Sequence, residues 1–171
     1  MTPAPSLHAF TFPTPCGPFS VALNATGAVV ATAFGDLARL RSRLPEKCNL
    51  IGYTGSETFA VKKQVDAYFA GKLHVFTLPL AAAGTDFQHR VWSALLAIPY
   101  GETRSYGQLA ASLGNPGASR AIGRANATNP ICLLVPCHRV IGADGSLTGF
   151  AFGEDIKRQL LAREGALLIA E

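Results

Sequence analysis

Ile131-Cys132-Leu133-Leu134-Val135-Pro136-Cys137-His138-Arg139-Val140 is the stretch on which the reading of this chain turns. An unbroken apolar run drives the backbone into a core. Pro136 then fixes its own φ and biases Val135 toward an extended conformation, so Cys137 enters at a defined angle. A thiol attacks only as a thiolate, and an ordinary cysteine, with a pKa of about 8.5, is mostly protonated at neutral pH. His138 and Arg139 are the kinds of neighbour that accept that proton or favour the anion. The same residues also read as a buried strand ending in an inert thiol beside a surface His-Arg pair. The stretch alone does not separate the two.

Composition narrows the frame. The chain has 171 residues, room for one medium domain or two small ones. With 49% hydrophobic and only 15% charged residues it is globular, not disordered. A net charge of +4 permits a polyanionic partner without demanding one. No apolar run is long enough to span a bilayer, and Met1-Thr2-Pro3-Ala4-Pro5 lacks a charged segment followed by an apolar one. The expectation is therefore a cytoplasmic protein with no membrane partner. Cys16, Cys48, Cys132 and Cys137 show no CxxC spacing and no paired histidine motif. Cys16, Cys48 and Cys132 read as ordinary thiols, Cys132 as a small hydrophobe within the apolar run.

The front of the chain is rich in strand signals. Phe10 and Phe12 alternate, as do Phe19, Val21 and Leu23, with Pro13, Pro15 and Pro18 separating the two runs. Asn24-Ala25-Thr26-Gly27 is a hairpin-type turn before Ala28-Val29-Val30. Asp36 to Leu44 reads as a short helix carrying Arg39, Arg41 and Arg43 on a solvated face. Ser56 is the expected cap of a helix from Glu57 to Phe69, with Val61, Val65 and Tyr68 inward and Gly71 at its end. Leu73 to Leu78 reads as a strand with His74 on its surface. Pro79-Leu80-Ala81-Ala82-Ala83-Gly84 marks a linker. The expected division is residues 1–79, a linker at 80–85, and residues 86–171.

The back half is helical. Thr85-Asp86-Phe87-Gln88 has capping-box spacing and opens a helix with Phe87, Val91, Leu95 and Ile98 on one face, stopped by Pro99. Ser105-Tyr106-Gly107-Gln108 is a second capping box, opening a helix with Leu109, Ala110 and Leu113 inward and Gly114 at its close. Asn115 and Pro116 read as the cap and first position of another helix that runs to about Asn126. The pair is a helix-turn-helix. On the second helix Ala118, Ile122 and Ala125 suit the core. Arg120 and Arg124, four apart, share the opposite face, where like charges repel. Gly117, Ala121 and Gly123 between them are tiny, and a mid-helix Gly costs about 1 kcal/mol relative to Ala. Two cations on a nearly bare backbone suit close approach to a phosphate surface. Tight helix packing with exposed arginines is the alternative. A closing helix from Asp155 to Glu164 ends before Gly165, and the helix dipole disfavours a carboxylate at that end.

Pro136-Cys137-His138-Arg139-Val140, preceded by Asn129-Pro130-Ile131, resembles the active-site signature of the O6-alkylguanine-DNA alkyltransferases, the methylated-DNA–protein-cysteine methyltransferases. The likeness extends over about residues 85 to 165, through Phe87-Gln88, Val91-Trp92 and Ile98-Pro99-Tyr100-Gly101-Glu102-Thr103. It implies an α+β fold: a small ribonuclease-H-like β-sheet domain followed by a helical domain with a helix-turn-helix. It implies Cys137 as the alkyl acceptor, within a Glu-His-water-Cys chain in which Glu164, twenty-seven residues on, orients His138. Tyr106 would donate a hydrogen bond toward guanine N3, and Asn129 would join the recognition helix to the active-site strand. Arg120, seventeen residues before Cys137, would fill the gap left by the extruded nucleotide. Arg124, Ala121 and Gly123 would lie with it on the DNA. Val140, Gly149, Phe150 and Ala151 would wall the base pocket. Phe150 departs from the tyrosine many members carry there and lacks its hydroxyl.

The implied reaction is displacement at the alkyl carbon of O6-alkylguanine in duplex DNA, with O4-alkylthymine as a second candidate lesion. The product is a thioether with no good leaving group, so the protein acts once, with no cofactor and no metal. Cys16, Cys48, His8 and His74 do not align with the zinc ligands of some relatives. The expected state is a monomer, with cooperative assembly on DNA left open, and the expected source is bacterial. Three other classes compete. A non-catalytic damage binder would lack Cys137. A transcription regulator would lack Tyr106 and Glu164 at their spacings. A Cys-His hydrolase would turn over an ester repeatedly.

Overall fold

The computed structural model describes residues 3–167, and the chain divides into two compact units between Ala83 and Gly84. The first is built on β1 (Ser6–Thr14), β2 (Gly17–Leu23) and β3 (Val29–Phe34), an antiparallel meander, with β4 (Asn49–Gly52) parallel to β1. The sheet order is β3-β2-β1-β4. The β2–β3 turn forms because Asn24 Oδ1 accepts the N–H groups of Thr26 and Ala28, both at 3.0 Å, while Gly27 takes φ +82°. Helix α1 (Leu37–Arg41) packs on β2 and β3, and α2 (Ser56–Phe69) packs on β1. Their buried Leu40, Val61, Val65 and Tyr68 close a core with Phe12, Phe19 and Phe34, whose rings meet edge to face at 5.7 and 5.0 Å.

Several expectations for this unit need correction. Leu73 to Leu78 is not a strand. The Gln64 carboxamide on α2 accepts the Thr77 N–H at 2.9 Å and donates to the Thr77 hydroxyl at 2.8 Å, so a helix side chain takes the place of a neighbouring strand. The linker expected at 80–85 is in part stitched to β3. Val29 N–H donates to Pro79 O, and Ala81 N–H to Val29 O, each at 2.8 Å. Pro13 lies within β1, opposite Pro18, and the chain turns at Pro15 and Cys16. Gly55 is the N-cap of α2, with no side-chain cap, and Ser56 is its first residue. Arg41 is not simply solvated. Its guanidinium donates to Cys48 Sγ at 2.7 Å and to Glu46 O at 2.6 Å.

The second unit holds α3 (Asp86–Leu96), β5 (Arg104–Ser105), α4 (Tyr106–Ser112), α5 (Ser119–Ala127), β6 (Val140–Ile141) and α6 (Glu154–Arg163). Both capping boxes form: Thr85 with Gln88 opens α3, and Ser105 with Gln108 opens α4. Helix α5 packs against α3 and α4. It starts at Ser119, not at Asn115. Asn115 to Ala118 instead form a turn closed by Ala118 N–H to Asn115 O at 3.0 Å, with Asn, Pro and Gly at positions that suit a turn. Gly117 therefore lies outside the helix.

The apolar run also differs from the expected strand. Ile131 to Val140 is buried throughout, but as a compact loop. Val135 N–H donates to Ile131 O at 2.9 Å, and Leu133 takes a left-handed φ of +71°. Asn129 satisfies this loop from inside. Its Oδ1 accepts Ile131 N–H at 3.1 Å and its Nδ2 donates to Val135 O at 3.0 Å. A side chain thus supplies what a neighbouring strand would otherwise supply. Asn129→Ala leaves the buried Ile131 N–H without its acceptor and takes one of two donors from Val135 O, which keeps Cys137 N–H. The expected loss is about 2–4 kcal/mol in urea unfolding, with Asn129→Asp also destabilised because it cannot donate to Val135 O.

Candidate active site

Pro136, at φ −81° and ψ 65°, forms an inverse γ-turn closed by Cys137 N–H to Val135 O at 2.8 Å. A single 3-10 turn, Cys137–Arg139, follows at once. Its three residues per turn spread consecutive side chains in three directions. Cys137, His138 and Arg139 are all buried, and the turn packs against α3 and α6. Asn126, at the end of α5, donates from Nδ2 to Cys137 O at 3.3 Å.

Glu164 caps the C-terminus of α6 with a fully buried carboxylate. Arg139 grips it twice, Nε to Oε2 at 2.9 Å and Nη2 to Oε1 at 3.0 Å, and donates Nη1 to Ile98 O at 2.8 Å. His138 Nε2 lies 2.7 Å from Glu164 Oε1. Burial pushes the Glu164 carboxyl up, but the hydrogen bonds and charges of His138 and Arg139 outweigh it and bring the pKa to about 2. His138 and the two-point contact of Arg139 together keep Glu164 ionised at neutral pH. Burial holds the imidazole below its ordinary pKa, with Arg139 and Lys157 adding to the effect and Glu164 opposing it. At neutral pH His138 is therefore uncharged. Its proton sits on Nε2, facing the carboxylate, which leaves a lone pair on Nδ1. That atom is buried and has no hydrogen-bond partner among the described residues.

The β5–β6 pairing, Arg104 with Val140 and Ser105 with Ile141, brings the start of α4 beside the end of the Cys137 turn. Tyr106, first in α4, donates its hydroxyl to Thr148 O at 3.1 Å. Burial raises its pKa, the charge of Cys137 raises it further and Asn126 draws it partly back, so the phenol is a neutral donor. Gly149 takes φ +86°, and a Cβ there would sit 2.7 Å from the Tyr106 hydroxyl, so no side chain is tolerated. Phe150 and Ala151 are half-buried, and the Phe150 ring meets Phe152 edge to face at 5.7 Å. Val140 is fully buried and gives its carbonyl to Lys157 Nζ at 2.5 Å.

On α5, Arg120, Ala121 and Arg124 are exposed, and among the described residues neither arginine forms an ion pair. They lie on the surface, whereas Cys137, His138 and Glu164 are buried. A Cβ added at Gly123 would meet the Tyr106 ring at 3.8 Å, an ordinary contact. Packing inside the protein therefore does not require glycine at that position.

Two residues of this site were not singled out by the sequence reading. Arg139 was seen as a neighbour of Cys137 but not as the anchor of Glu164. Lys157 was not seen at all, although Lys157, Leu160, Leu161 and Glu164 stand at helical spacing on one face of α6 and are all buried. A lysine on an apolar stripe was the available signal. Among the described residues no group of three or more His, Cys, Asp or Glu is placed to hold a metal.

The depressed Glu164 pKa makes a pH prediction. A carboxyl lowered by folding stabilises the native state above its ordinary value of 4.5, and that stability is lost as pH falls toward about 2. Buried His138, also lowered, acts in the same direction below its ordinary value of 6.5. Unfolding free energies from denaturant titrations at neutral and acid pH should fall more for the wild type than for Glu164→Gln, by on the order of 3 kcal/mol.

The family model described as 6-O-methylguanine DNA methyltransferase, DNA binding domain, matches residues 86–166. A methylated-DNA–protein-cysteine methyltransferase of Mycobacterium tuberculosis is 48% identical over 92% of this chain and 92% of its own. One of Methanosarcina acetivorans is 61% identical over 61% of this chain and 67% of its own. Among solved structures, Mycobacterium tuberculosis OGT in complex with DNA superposes with a TM-score of 0.82 at 44% identity, covering 92% of each chain. The O6-methylguanine-DNA methyltransferase of Pyrococcus kodakaraensis gives 0.64 at 25%, covering 93% of this chain and 99% of that one. With near-complete coverage in sequence and in fold, the chain belongs to the methylated-DNA–protein-cysteine methyltransferase family.

Proposed function

We propose that this protein repairs duplex DNA by taking the alkyl group of O6-alkylguanine onto Cys137, once and irreversibly, in the cytoplasm. The observation that carries the reading is the buried Cys137 turn. Beside it stands an uncharged His138 whose proton is held on Nε2 by an ionised Glu164. His138 Nδ1 accepts the thiol proton, directly or through water. Sγ then attacks the alkyl carbon, the S–C bond forms as the C–O6 bond breaks, and the electron pair passes into the purine. Glu164 steadies the imidazolium, as a carboxylate does in a hydrolase triad. Tyr106 moves its hydroxyl from Thr148 O to the departing base and donates to it.

The base must leave the stack to reach Cys137, because an alkyl carbon on a paired guanine is out of reach of a protein side chain. The exposed, unpaired Arg120 and Arg124 meet the phosphate backbone, and Arg120 enters the gap. Glycine at position 123 lets the helix come close. Phe150 walls the pocket with its ring but offers no hydrogen bond to O6. The absence of a hydroxyl there bears on rate and substrate preference, not on the reaction.

Incubation with excess duplex containing O6-methylguanine should add a single methyl, mapped to the peptide holding Cys137, with no further turnover. An unmodified protein that still binds the duplex would point instead to a damage binder. Cys137→Ala is expected to keep duplex binding and lose all transfer. Arg120→Ala should slow transfer from duplex by one to two orders of magnitude, roughly the 1–3 kcal/mol of a lost DNA contact, and leave transfer from free O6-methylguanine base near wild type. Equal losses on both substrates would remove Arg120 from base extrusion.

A further inference from the structure

Lys157 is fully buried, yet among the described residues it has no carboxylate within ion-pair distance. Its ammonium donates to two backbone carbonyls, Val140 O at 2.5 Å and Thr148 O at 3.4 Å. A buried cation without a counter-charge is expensive, and such groups normally give way to an apolar residue or find a partner. Of the other buried positions on this face, Leu160 and Leu161 are apolar, and Glu164 is charged but held by Arg139 and His138. The two carbonyls satisfy N–H donors but not the charge.

Two acidic groups bear on the ammonium, Cys137 and Glu154, and of these only Cys137 is buried. Cys137 is buried like Lys157, and it is fixed on the turn that leads directly into Val140, whose carbonyl Lys157 holds. We propose that the Lys157 ammonium is the resident counter-ion of the Cys137 thiolate and, through the Val140 and Thr148 carbonyls, sets the position of both walls of the pocket around that sulfur. Lys157 is a positioning residue in this scheme, since it does not touch the reacting carbon. The inference rests on the reading of Cys137 as nucleophile.

Coupling between two charges is reciprocal: whatever the thiolate does for the ammonium, the ammonium does for the thiolate. Burial lowers the Lys157 pKa to about 8, while the charges of Cys137 and then Glu154 draw it partly back. The other groups facing this pair do not replace it. Tyr106 from α4 is a neutral phenol, and His138 on the same turn is neutral at rest. Arg139 is occupied by Glu164 and Ile98 O. Glu154 is exposed at the start of α6. Lys157 is also tied to Tyr106, because Thr148 O accepts from both. One ammonium thus connects the thiol, the loop that carries Gly149 and Phe150, and the proton donor for the leaving base.

The test is the pH profile of Cys137 reactivity in the full chain. Iodoacetamide alkylation, resolved from the other cysteines by peptide mapping, is followed from about pH 5 to 9.5 for wild type, Lys157→Met, Lys157→Gln and Lys157→Arg. Transfer from O6-methylguanine duplex is timed at the same pH values, and thermal melts select the folded variants. Without the ammonium the reactivity midpoint should rise by about one pH unit, slowing alkylation about tenfold near pH 7, and the difference should vanish at the alkaline end. Lys157→Arg should recover most of the loss. Lys157→Gln keeps a donor for the carbonyls without the charge, so it answers the question should the Met variant not fold. A midpoint that stays put, or a loss equal at every pH, overturns the counter-ion. If the midpoint shifts as stated but the duplex leaves wild type unmethylated, the counter-ion stands and the proposed substrate falls.

Discussion

Everything near Cys137 depends on one buried carboxylate. Glu164 lies at the C-terminal end of α6, where the helix dipole opposes a negative charge, and its side chain is out of water. It is stable there only because Arg139 meets it in a two-point fork and His138 adds a third contact. Those two partners are consecutive residues on the 3-10 turn that begins with Cys137. Satisfying Glu164 therefore docks the turn on α6 and fixes the tautomer of His138 in the same step. Structural and chemical roles are carried by the same three side chains.

A second constraint is backbone accounting. The loop from Ile131 to Val135 is buried without a sheet to pair with, so its polar groups need partners from elsewhere. Asn129 provides two, Asn126 binds Cys137 O, and Lys157 binds Val140 O. Each of these side chains comes from a helix or from the residue just past one. The positions of α5 and α6 are thereby written into the position of the sulfur. Packing of α5 against α3 and α4 then sets the exposed arginines on the outer face of the same unit. The loop that holds the thiol and the helix face that carries the exposed arginines belong to the same unit.

The fold was legible where local chemistry decides. The two capping boxes, Thr85 with Gln88 and Ser105 with Gln108, started their helices at the expected residues. Period-two runs at Phe19, Val21 and Leu23 gave β2, and Asn24 to Gly27 gave its turn. It was illegible where a distant group overrides local preference. Leu73 to Leu78 has strand composition but bonds to Gln64 on α2. Asn115-Pro116 has cap-like chemistry, but the chain first closes a turn from Asn115 to Ala118. β4 is short and polar-edged, and it exists because β1 has an unpaired side.

By itself the sequence singled out the Cys-His-Arg triplet at 137–139, the tyrosine at a helix start and the acidic residue at a helix end. Motif spacing records which residues a chemistry needs, and that information survives without coordinates. Burial and partnership belong to the tertiary structure. Only the fold decided that Arg139 joins His138 on Glu164, that the Tyr106 hydroxyl is lodged on Thr148 O, and that Lys157 turns inward with no carboxylate at ion-pair distance among the described residues. The physical reason is that hydrogen-bond partners and desolvation depend on what other segments bring alongside, and no residue's own neighbours in sequence specify that.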